Sequence, residues 1–374
     1  MRIAINTRFL LKGKMEGFGW FTYETVKRMV MDHPEHTFIF FFDRPYDSQY
    51  VFAKNVIPIV LRPPARHPIL FKIWFNYSIT RALKKHKADV FFSPDGYLSL
   101  RTNVPQIGVI HDLNFEHYPE DLPKPARDYL QRYFPLFAKK AKHLLTVSEY
   151  SKQDIVDTYG VEPKKITVAH NGGSEKFAPI NPAVREQIRK EYTGGKPYFI
   201  CVGALHPRKN INRLLLAFDT FKTETDSEVQ LLIVGAPLFK GSGPYETLDK
   251  LTHKSAVHFS GHVDFNQLTL LMGSALALTF VSYFEGFGIP MVEAMRAETP
   301  ILAGKLTSLP EVGGDAAIYV DPFDIASIKD GLIRIATDED LRNKLIESGR
   351  ERAKNFTWDR SAAIIWNTII DQTN

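Results

Sequence analysis

The sequence predicts an α/β protein made of two doubly wound, Rossmann-like domains. Strand-length apolar runs recur at 3–5, 37–42, 56–60, 90–92, 107–110, 144–147 and 166–168, with helical stretches between several of them. That alternation makes a parallel sheet covered by helices on both faces. The pattern restarts with the apolar run 198–202, after a stretch from 172 to 196 that sets Pro179, Pro182, Gly194 and Gly195 among charged residues, the composition of an interdomain connection. A chain of 374 residues has room for two cores. The expected organisation is a first domain over 1–174, a linker over 175–196, a second domain over 197–355 and a terminal helical segment over 356–374.

Composition narrows the class. Hydrophobic content of 44% and charged content of 24% describe an ordinary globular protein. The single cysteine, Cys201, falls in an apolar strand pattern, so it reads as a small buried hydrophobe and leaves no intrachain disulfide. Residues 1–5 begin a short strand rather than a leader, and no run approaches the length of a membrane span, so a cytoplasmic protein is expected. A net charge of +5 and a pI near 9.0 favour anionic partners: nucleotides, phospholipid headgroups or nucleic acid.

Along the chain, Gly13, Gly17 and Gly19 follow the first strand and precede a helical stretch to about Met31. Such a loop lets backbone approach a ligand, but Thr22 breaks the G-x-G-x-x-G dinucleotide fingerprint, which disfavours a dehydrogenase. Between Asp47 and Asp89 there is no acidic residue, while Arg62, Arg66, Lys72, Arg81, Lys84, Lys85 and Lys87 accumulate and aromatics interleave over 69–77. This is the pattern of a helix on an anionic membrane surface or of one half core and half solvated. A second basic and aromatic stretch covers 124–142 through Tyr129, Tyr133, Phe134 and Phe137. His111 and Asp112 close the strand at 107–110, and Ser148 and Ser151 supply a helix cap after the next.

In the second half, Arg208 and Lys209 arrive just past a strand end, where two cations can meet a diphosphate. The most informative stretch is 280–300, FVSYFEGFGIPMVEAMRAETP. An apolar strand runs into Glu285-Gly286-Phe287-Gly288, and Pro290 suits the first position of a following helix. The free amides and positive dipole end at that helix start favour an anion. Glu285 and Glu293 bracket the turn, and carboxylates accept hydrogen bonds from sugar or ribose hydroxyls. Beyond it, Ser308 to Glu311 reads as a Ser-x-x-Glu capping box, and an amphipathic stretch covers 358–370.

The stretch from Glu285 to Met295 resembles the E-x7-E signature of the retaining GT-B glycosyltransferases of family 4, in the form E-G-F-G-x-P-x-x-E-A-M. The loop from Val202 to Lys209 is similar to the V-G-x-x-x-P-x-K pattern of the same family, except that Ala204 stands where many members carry arginine. The resemblance implies two domains facing each other across a cleft, with the terminal helix crossing back to the first. It implies that Glu285 and the amides of Gly286, Phe287 and Gly288 meet the donor hexose, that Glu293 holds the ribose, and that Arg208 and Lys209 meet the diphosphate. Val263 would flank the base, His111 would lie near the reacting sugar, and Gly17 and Gly19 near donor phosphates and acceptor.

The expected activity is transfer of a hexose, with retention, from a nucleotide diphosphate sugar to a saccharide or lipid-linked saccharide. GDP-mannose is the favoured donor because the Pro207-Arg208-Lys209-Asn210 loop looks like that of mannosyl-transferring members. Peripheral contact with the inner face of an anionic membrane is expected, and no nucleic acid. Metal-site spacings such as CxxC and HExxH are absent, no bound cofactor is implied, and metal-independent transfer is expected. The rival readings are a nucleotide-sugar epimerase of the same fold and a non-catalytic lipid- or nucleic-acid-binding protein on this scaffold.

Overall fold

The computed structural model describes residues 1–13, 15, 17–65, 67–236 and 244–373. Lys14 and Glu16 of the glycine-rich stretch, and Arg66 of the basic run, lie outside the described residues. The chain divides into two units, Met1–Asn171 with Trp358–Asn374, and Gly172–Thr357.

The first unit is built on a parallel sheet of β1 (Arg2–Asn6), β2 (Thr37–Phe42), β3 (Val56–Val60), β4 (Val90–Ser93), β5 (Gln106–Val109), β6 (His143–Thr146) and β7 (Ile166–Val168). Their order is β3-β2-β1-β4-β5-β6-β7. The chain steps outward from β1 and then returns to its other side, so the topological switch point lies between β1 and β4. The strands read as continuous apolar runs because helices bury both faces; in β2 every residue after Thr37 is buried.

The helix Trp358–Asp371 belongs to this unit and buries Trp358, Ala362, Ile365, Trp366 and Ile369, spaced three to four residues apart along one stripe. It packs on the helix Gly17–Asp32: Phe21 meets Trp358 edge-on at 6.2 Å, and Arg28 pairs with Asp359. The Trp366 ring stacks on His33 at 3.7 Å. Each such buried aromatic contributes about 1.5–3 kcal/mol.

The two basic and aromatic stretches divide differently from their sequence pattern. Over Pro68–Lys85 the buried face is Trp74, Phe75, Ile79 and Leu83. Ile69, Ile73 and Tyr77 are exposed on the other face beside Lys72, Arg81, Lys84 and Lys85. In the helix Lys124–Lys140 the aromatic residues are core: Tyr129, Phe134 and Phe137 are buried and surround Tyr97. Its basic residues are the solvated face of that helix.

The second unit carries β8 (Tyr198–Val202), β9 (Gln230–Val234), β10 (Val257–Gly261), β11 (Ala277–Phe280), β12 (Ile301–Gly304) and β13 (Ala317–Val320). They form a parallel sheet in the order β10-β9-β8-β11-β12-β13, with its switch point between β8 and β11. Ligands in such sheets bind beyond the carboxyl ends of the strands at that crevice.

The expected linker over 175–196 is part of this unit. Its turn residues punctuate a helix, Pro182–Thr193: Asn181 caps it by accepting from Ala183 N at 2.8 Å, Pro182 opens it, and Gly194 closes it at φ 63°. Arg189 Nε donates to the Ser274 carbonyl at 3.0 Å, tying it to the helix Phe265–Ser274. Proline and glycine at the two ends of a short helix resemble linker composition, and only packing separates the two readings.

Candidate active site

In the second unit the loops after β8, β11 and β12 converge on Glu285. Its side chain is 7% exposed, and Lys209 Nζ donates to its carboxylate at 2.6 Å while Arg208 pairs with the other oxygen. Burial raises the carboxyl, but the two cations outweigh it and hold the pKa down at about 2, so Glu285 is ionised at any working pH. Lys209 is depressed by burial, opposed by Glu285, and its ammonium lies 4.5 Å from the centroid of Phe280.

The loop that delivers both cations is a tight turn, Pro207–Lys209, capped by His206, whose Nδ1 accepts from Arg208 N at 3.4 Å. Burial and the neighbouring cations push His206 down to about 4, which keeps the imidazole neutral and that nitrogen able to accept. Asn210 closes the turn at φ 60°, and its Nδ2 donates to the carbonyls of Val281 (3.1 Å) and Pro322 (2.5 Å). One side chain therefore joins the ends of β8, β11 and β13. Arg208 itself is braced to the β11 loop, donating to Phe284 O at 3.1 Å while its own carbonyl accepts from Tyr283 N at 3.0 Å.

The main chain of Glu285 is held from β12. Thr307 Oγ1 accepts from Glu285 N at 3.2 Å, and Ser308 Oγ donates to Glu285 O at 2.8 Å. Thr307 sits at φ 58°, a conformation that costs a β-branched residue about 1–3 kcal/mol. The expected capping box does not form, because Ser308 is helical and its hydroxyl is spent on Glu285 rather than on an amide of the helix Leu309–Gly313. Ser308→Ala is expected to lower kcat/KM about 10-fold or more and to cost about 1–3 kcal/mol, because the Glu285 carbonyl loses its donor inside the protein. Unchanged kinetics in that variant would remove Ser308 from the positioning of Glu285.

The helix after the glycine turn runs Ile289–Arg296, with Gly288 at its start at φ 98°, where a Cβ would meet Leu309 at 2.9 Å. Pro290 is its second residue, one place later than expected. The Phe287 side chain is buried and packs edge-on against Phe356 at 5.5 Å, so the side chain serves the core. Gly286 is buried in the same turn.

Glu293 is half-buried on this helix, and burial pushes its carboxyl up to about 8. A neutral carboxyl both donates and accepts, as a ribose diol requires. Its folded value exceeds the ordinary 4.5, so its contribution to stability is full below about pH 4.5 and is lost as pH rises through about 8. Glu293→Gln is expected to flatten this slope, gaining roughly 1–2 kcal/mol over wild type between pH 5 and 8.5 after allowance for solvent access. Parallel urea-unfolding profiles for the two proteins would refute it.

Val263 lies past the end of β10, which is separated from β8 by β9, and is half-buried. The Asp-x-Asp spacing at Asp338 and Asp340, a type that holds metals elsewhere, belongs to a helix start: Asp338 accepts from Leu341 N at 2.8 Å. Among the described residues no three His, Cys, Asp or Glu side chains are grouped to hold a metal ion.

In the first unit His111 follows β5. Its Nε2 lies 2.7 Å from the Pro94 carbonyl, which accepts only, so Nε2 carries the proton and Nδ1 is left as the acceptor. Burial lowers its pKa. Phe18 and Phe21 pack edge-on against the ring at 4.8 and 4.7 Å. Both aromatics belong to the helix that begins at Gly17, so His111, Gly17 and Gly19 share one neighbourhood. Gly17 is exposed with open space around it, whereas Gly19 is buried and a Cβ there would meet the Phe9 carbonyl at 2.8 Å. Packing alone thus requires glycine at position 19.

Asp95, the residue after Pro94, is held by an ion pair at the β1/β4 switch point. Arg8 Nε donates to Asp95 at 2.7 Å, Asn6 Nδ2 donates to the same carboxylate at 2.8 Å, and the Arg8 guanidinium lies over Tyr97 at 4.3 Å. Neither Arg8 nor Asp95 stood out in the sequence, where each is a single charge beside a strand.

Two family models match the chain: "Glycosyl transferases group 1" over residues 184–352 and "Glycosyltransferase Family 4" over residues 15–173. The chain is similar to O-antigen chain mannosyltransferase B of Escherichia coli, 26% identical over 360 residues that cover 93% of this chain and 94% of that one. It is 32% identical over 215 residues to O-antigen chain mannosyltransferase RfbU of Salmonella typhimurium, covering 58% of this chain and 56% of that one. Among solved structures, sucrose-phosphate synthase from Thermosynechococcus elongatus superposes with a TM-score of 0.79 at 17% identity, covering 99% and 98% of the two chains, a likeness of fold.

Proposed function

We propose that this chain, which belongs to glycosyltransferase family 4, transfers mannose from a nucleotide diphosphate sugar to a hydroxyl of a saccharide acceptor in polysaccharide synthesis. The observation that carries the reading is the grip of Arg208 and Lys209 on Glu285, at the switch point and beside the start of the helix Ile289–Arg296. Two cations against one carboxylate leave a positive charge in excess within the trio, and the helix start adds about half a charge more. A diphosphate gains negative charge as it departs, so such a preorganised field favours the transition state over the bound donor. Glu285, ionised and immobile, accepts from sugar hydroxyls and orients the ring.

Retention of configuration belongs to the proposal. With Glu285 locked between two cations, its carboxylate is a weak nucleophile and a weaker base, which supports a front-side route in which the departing diphosphate takes the acceptor proton. GDP-mannose is the proposed donor. The test is a panel of GDP-mannose, UDP-glucose and UDP-N-acetylglucosamine with α-mannoside acceptors, with and without EDTA, read by mass spectrometry and anomeric NMR. An α-linked mannoside formed at equal rates in both conditions is expected. Inverted product, complete and metal-reversible loss with EDTA, or turnover of donor only without acceptor would each overturn the part it addresses, the last in favour of an epimerase.

Peripheral binding to an anionic membrane face is the second element. No described helix is long and apolar enough to cross a membrane. The exposed Ile69 (66%), Ile73 and Tyr77 flanked by Lys72, Arg81, Lys84 and Lys85 support a surface that dips apolar side chains below basic ones. Membrane affinity, read by flotation with phosphatidylglycerol vesicles, is expected to fall about 30-fold in Ile69→Asp/Ile73→Asp, each buried apolar group being worth on the order of 1 kcal/mol. Equal flotation of the variant would remove this surface from the proposal.

A further inference from the structure

A cleft of about 360 Å³ opens in the first unit, lined by Leu10 and Lys12 from the loop after β1 and by Arg44, Tyr46 and Asp47 from the loop after β2. It lies at the carboxyl ends of these strands, the end of the sheet at which His111 follows β5. The loop carrying Leu10 and Lys12 leads into the helix that packs on His111.

The lining is held in place. Arg44 is gripped by the buried Asp43 through two parallel bonds of 2.6 and 2.7 Å, and Asp43 is itself anchored by Ala65 N at 3.0 Å. The Tyr46 ring stacks on the buried Phe42 at 4.7 Å, leaving the residue 37% exposed. Lys12 Nζ pairs with Asp47 at 2.8 Å, and Asp47 also accepts from Gln49 N at 3.1 Å.

Charge decides the ligand class. Among the described lining residues each cation is matched by a carboxylate, Arg44 by Asp43 and Lys12 by Asp47, so their charges balance and leave none in excess for a phosphate. What it presents is an aromatic face, guanidinium and ammonium donors and a carboxylate acceptor around a volume suited to one or two sugar rings. A neutral ring with apolar C–H faces and hydroxyls at its edge meets all three.

We infer that this cleft is a second saccharide subsite, which holds a neutral hexose unit of the acceptor chain beyond the unit that receives the new sugar. The inference rests on the reading of the chain as a glycan-building transferase. It makes the enzyme a sensor of acceptor length as well as of acceptor identity.

The test compares wild type, Tyr46→Ala and Lys12→Ala with methyl α-mannoside and with α-linked mannobiose, mannotriose and mannotetraose, using GDP-mannose as donor. In wild type, kcat/KM is expected to rise about tenfold or more with acceptor length, the equivalent of roughly 1.4 kcal/mol of added binding. Tyr46→Ala loses that rise through KM, with kcat, donor KM and turnover of methyl α-mannoside unchanged. An unchanged length dependence in Tyr46→Ala, or an equal loss with every acceptor, overturns the subsite.

Saturation-transfer NMR of mannotetraose on the full chain keeps the two readings apart. If wild type transfers no sugar the transferase reading fails, while a mannotetraose signal that disappears in Tyr46→Ala still establishes the cleft. No signal in wild type, an equal signal in both proteins, or displacement of the sugar by inorganic phosphate overturns it.

Discussion

Replacing Glu285 by Gln or Ala is expected to reduce kcat by about 1000-fold or more, the scale on which removal of a preorganised charge acts. Steady-state assay with the preferred donor checks it, and turnover within tenfold of wild type would falsify the assignment of this side chain. The structure adds that the change is not neutral for the fold. Glu285 balances Arg208 and the largely buried Lys209, so deleting it leaves a buried ammonium without its counter-ion. Breaking such a pair by removing one partner costs about 3–5 kcal/mol. Glu285→Ala is therefore expected to melt lower than wild type, and Glu285/Lys209 double replacement to recover part of the loss.

The sign of the pH effect follows from the same geometry. The folded pKa of about 2 lies below the ordinary 4.5. The stabilisation is thus complete above about pH 4.5 and disappears as pH falls toward 2. An acidic limb of kcat/KM above pH 5, which reports the unliganded enzyme, does not come from Glu285.

Gly235→Ala is expected to be at least as damaging to the fold. Gly235 follows β9 at φ 153°, and a Cβ there would lie 1.9 Å from the Gly203 carbonyl oxygen, a backbone atom with no rotamer to change. Gly203 is itself at φ 137°, with a Cβ position 3.0 Å from the Lys209 side chain. Two strand-end loops touch through their glycines, and Lys209 crosses the second of them. The substitution must push the β8 loop and its lysine aside, at a cost of about 4 kcal/mol or more. Circular dichroism melting and the assay are expected to fall together. A variant with wild-type melting temperature and full activity would show that these loops have slack.

Legibility of this protein in its sequence follows the range of the forces involved. Strands buried on both faces appear as apolar runs, and the seven runs of the first half coincide with β1 to β7 to within a residue or two. The glycine turn, Glu285 and the helix from Ile289 were readable because proline and glycine restrict the backbone locally, whatever surrounds them. Arg208 and Lys209 were readable as a charge pair at a strand end.

The partner of that pair was not. Lys209 and Glu285 are 76 positions apart, and their meeting depends on β8 and β11 being neighbours, which is a property of strand order. The same reason hid the roles of Thr307, which did not stand out, and of Ser308, which read as the cap of its own helix, until β12 brought both to the main chain of Glu285. It also hid Asn210, and the ion pair of Arg8 with Asp95, 87 positions apart. Burial then set the protonation states: identical carboxyls eight residues apart are driven in opposite directions, Glu285 by two cations and Glu293 by desolvation alone. Local backbone chemistry determined where the site's elements begin and end; the order of strands in the sheet decided which charges meet, because Coulomb and hydrogen-bond energies depend on distance through space and not along the chain.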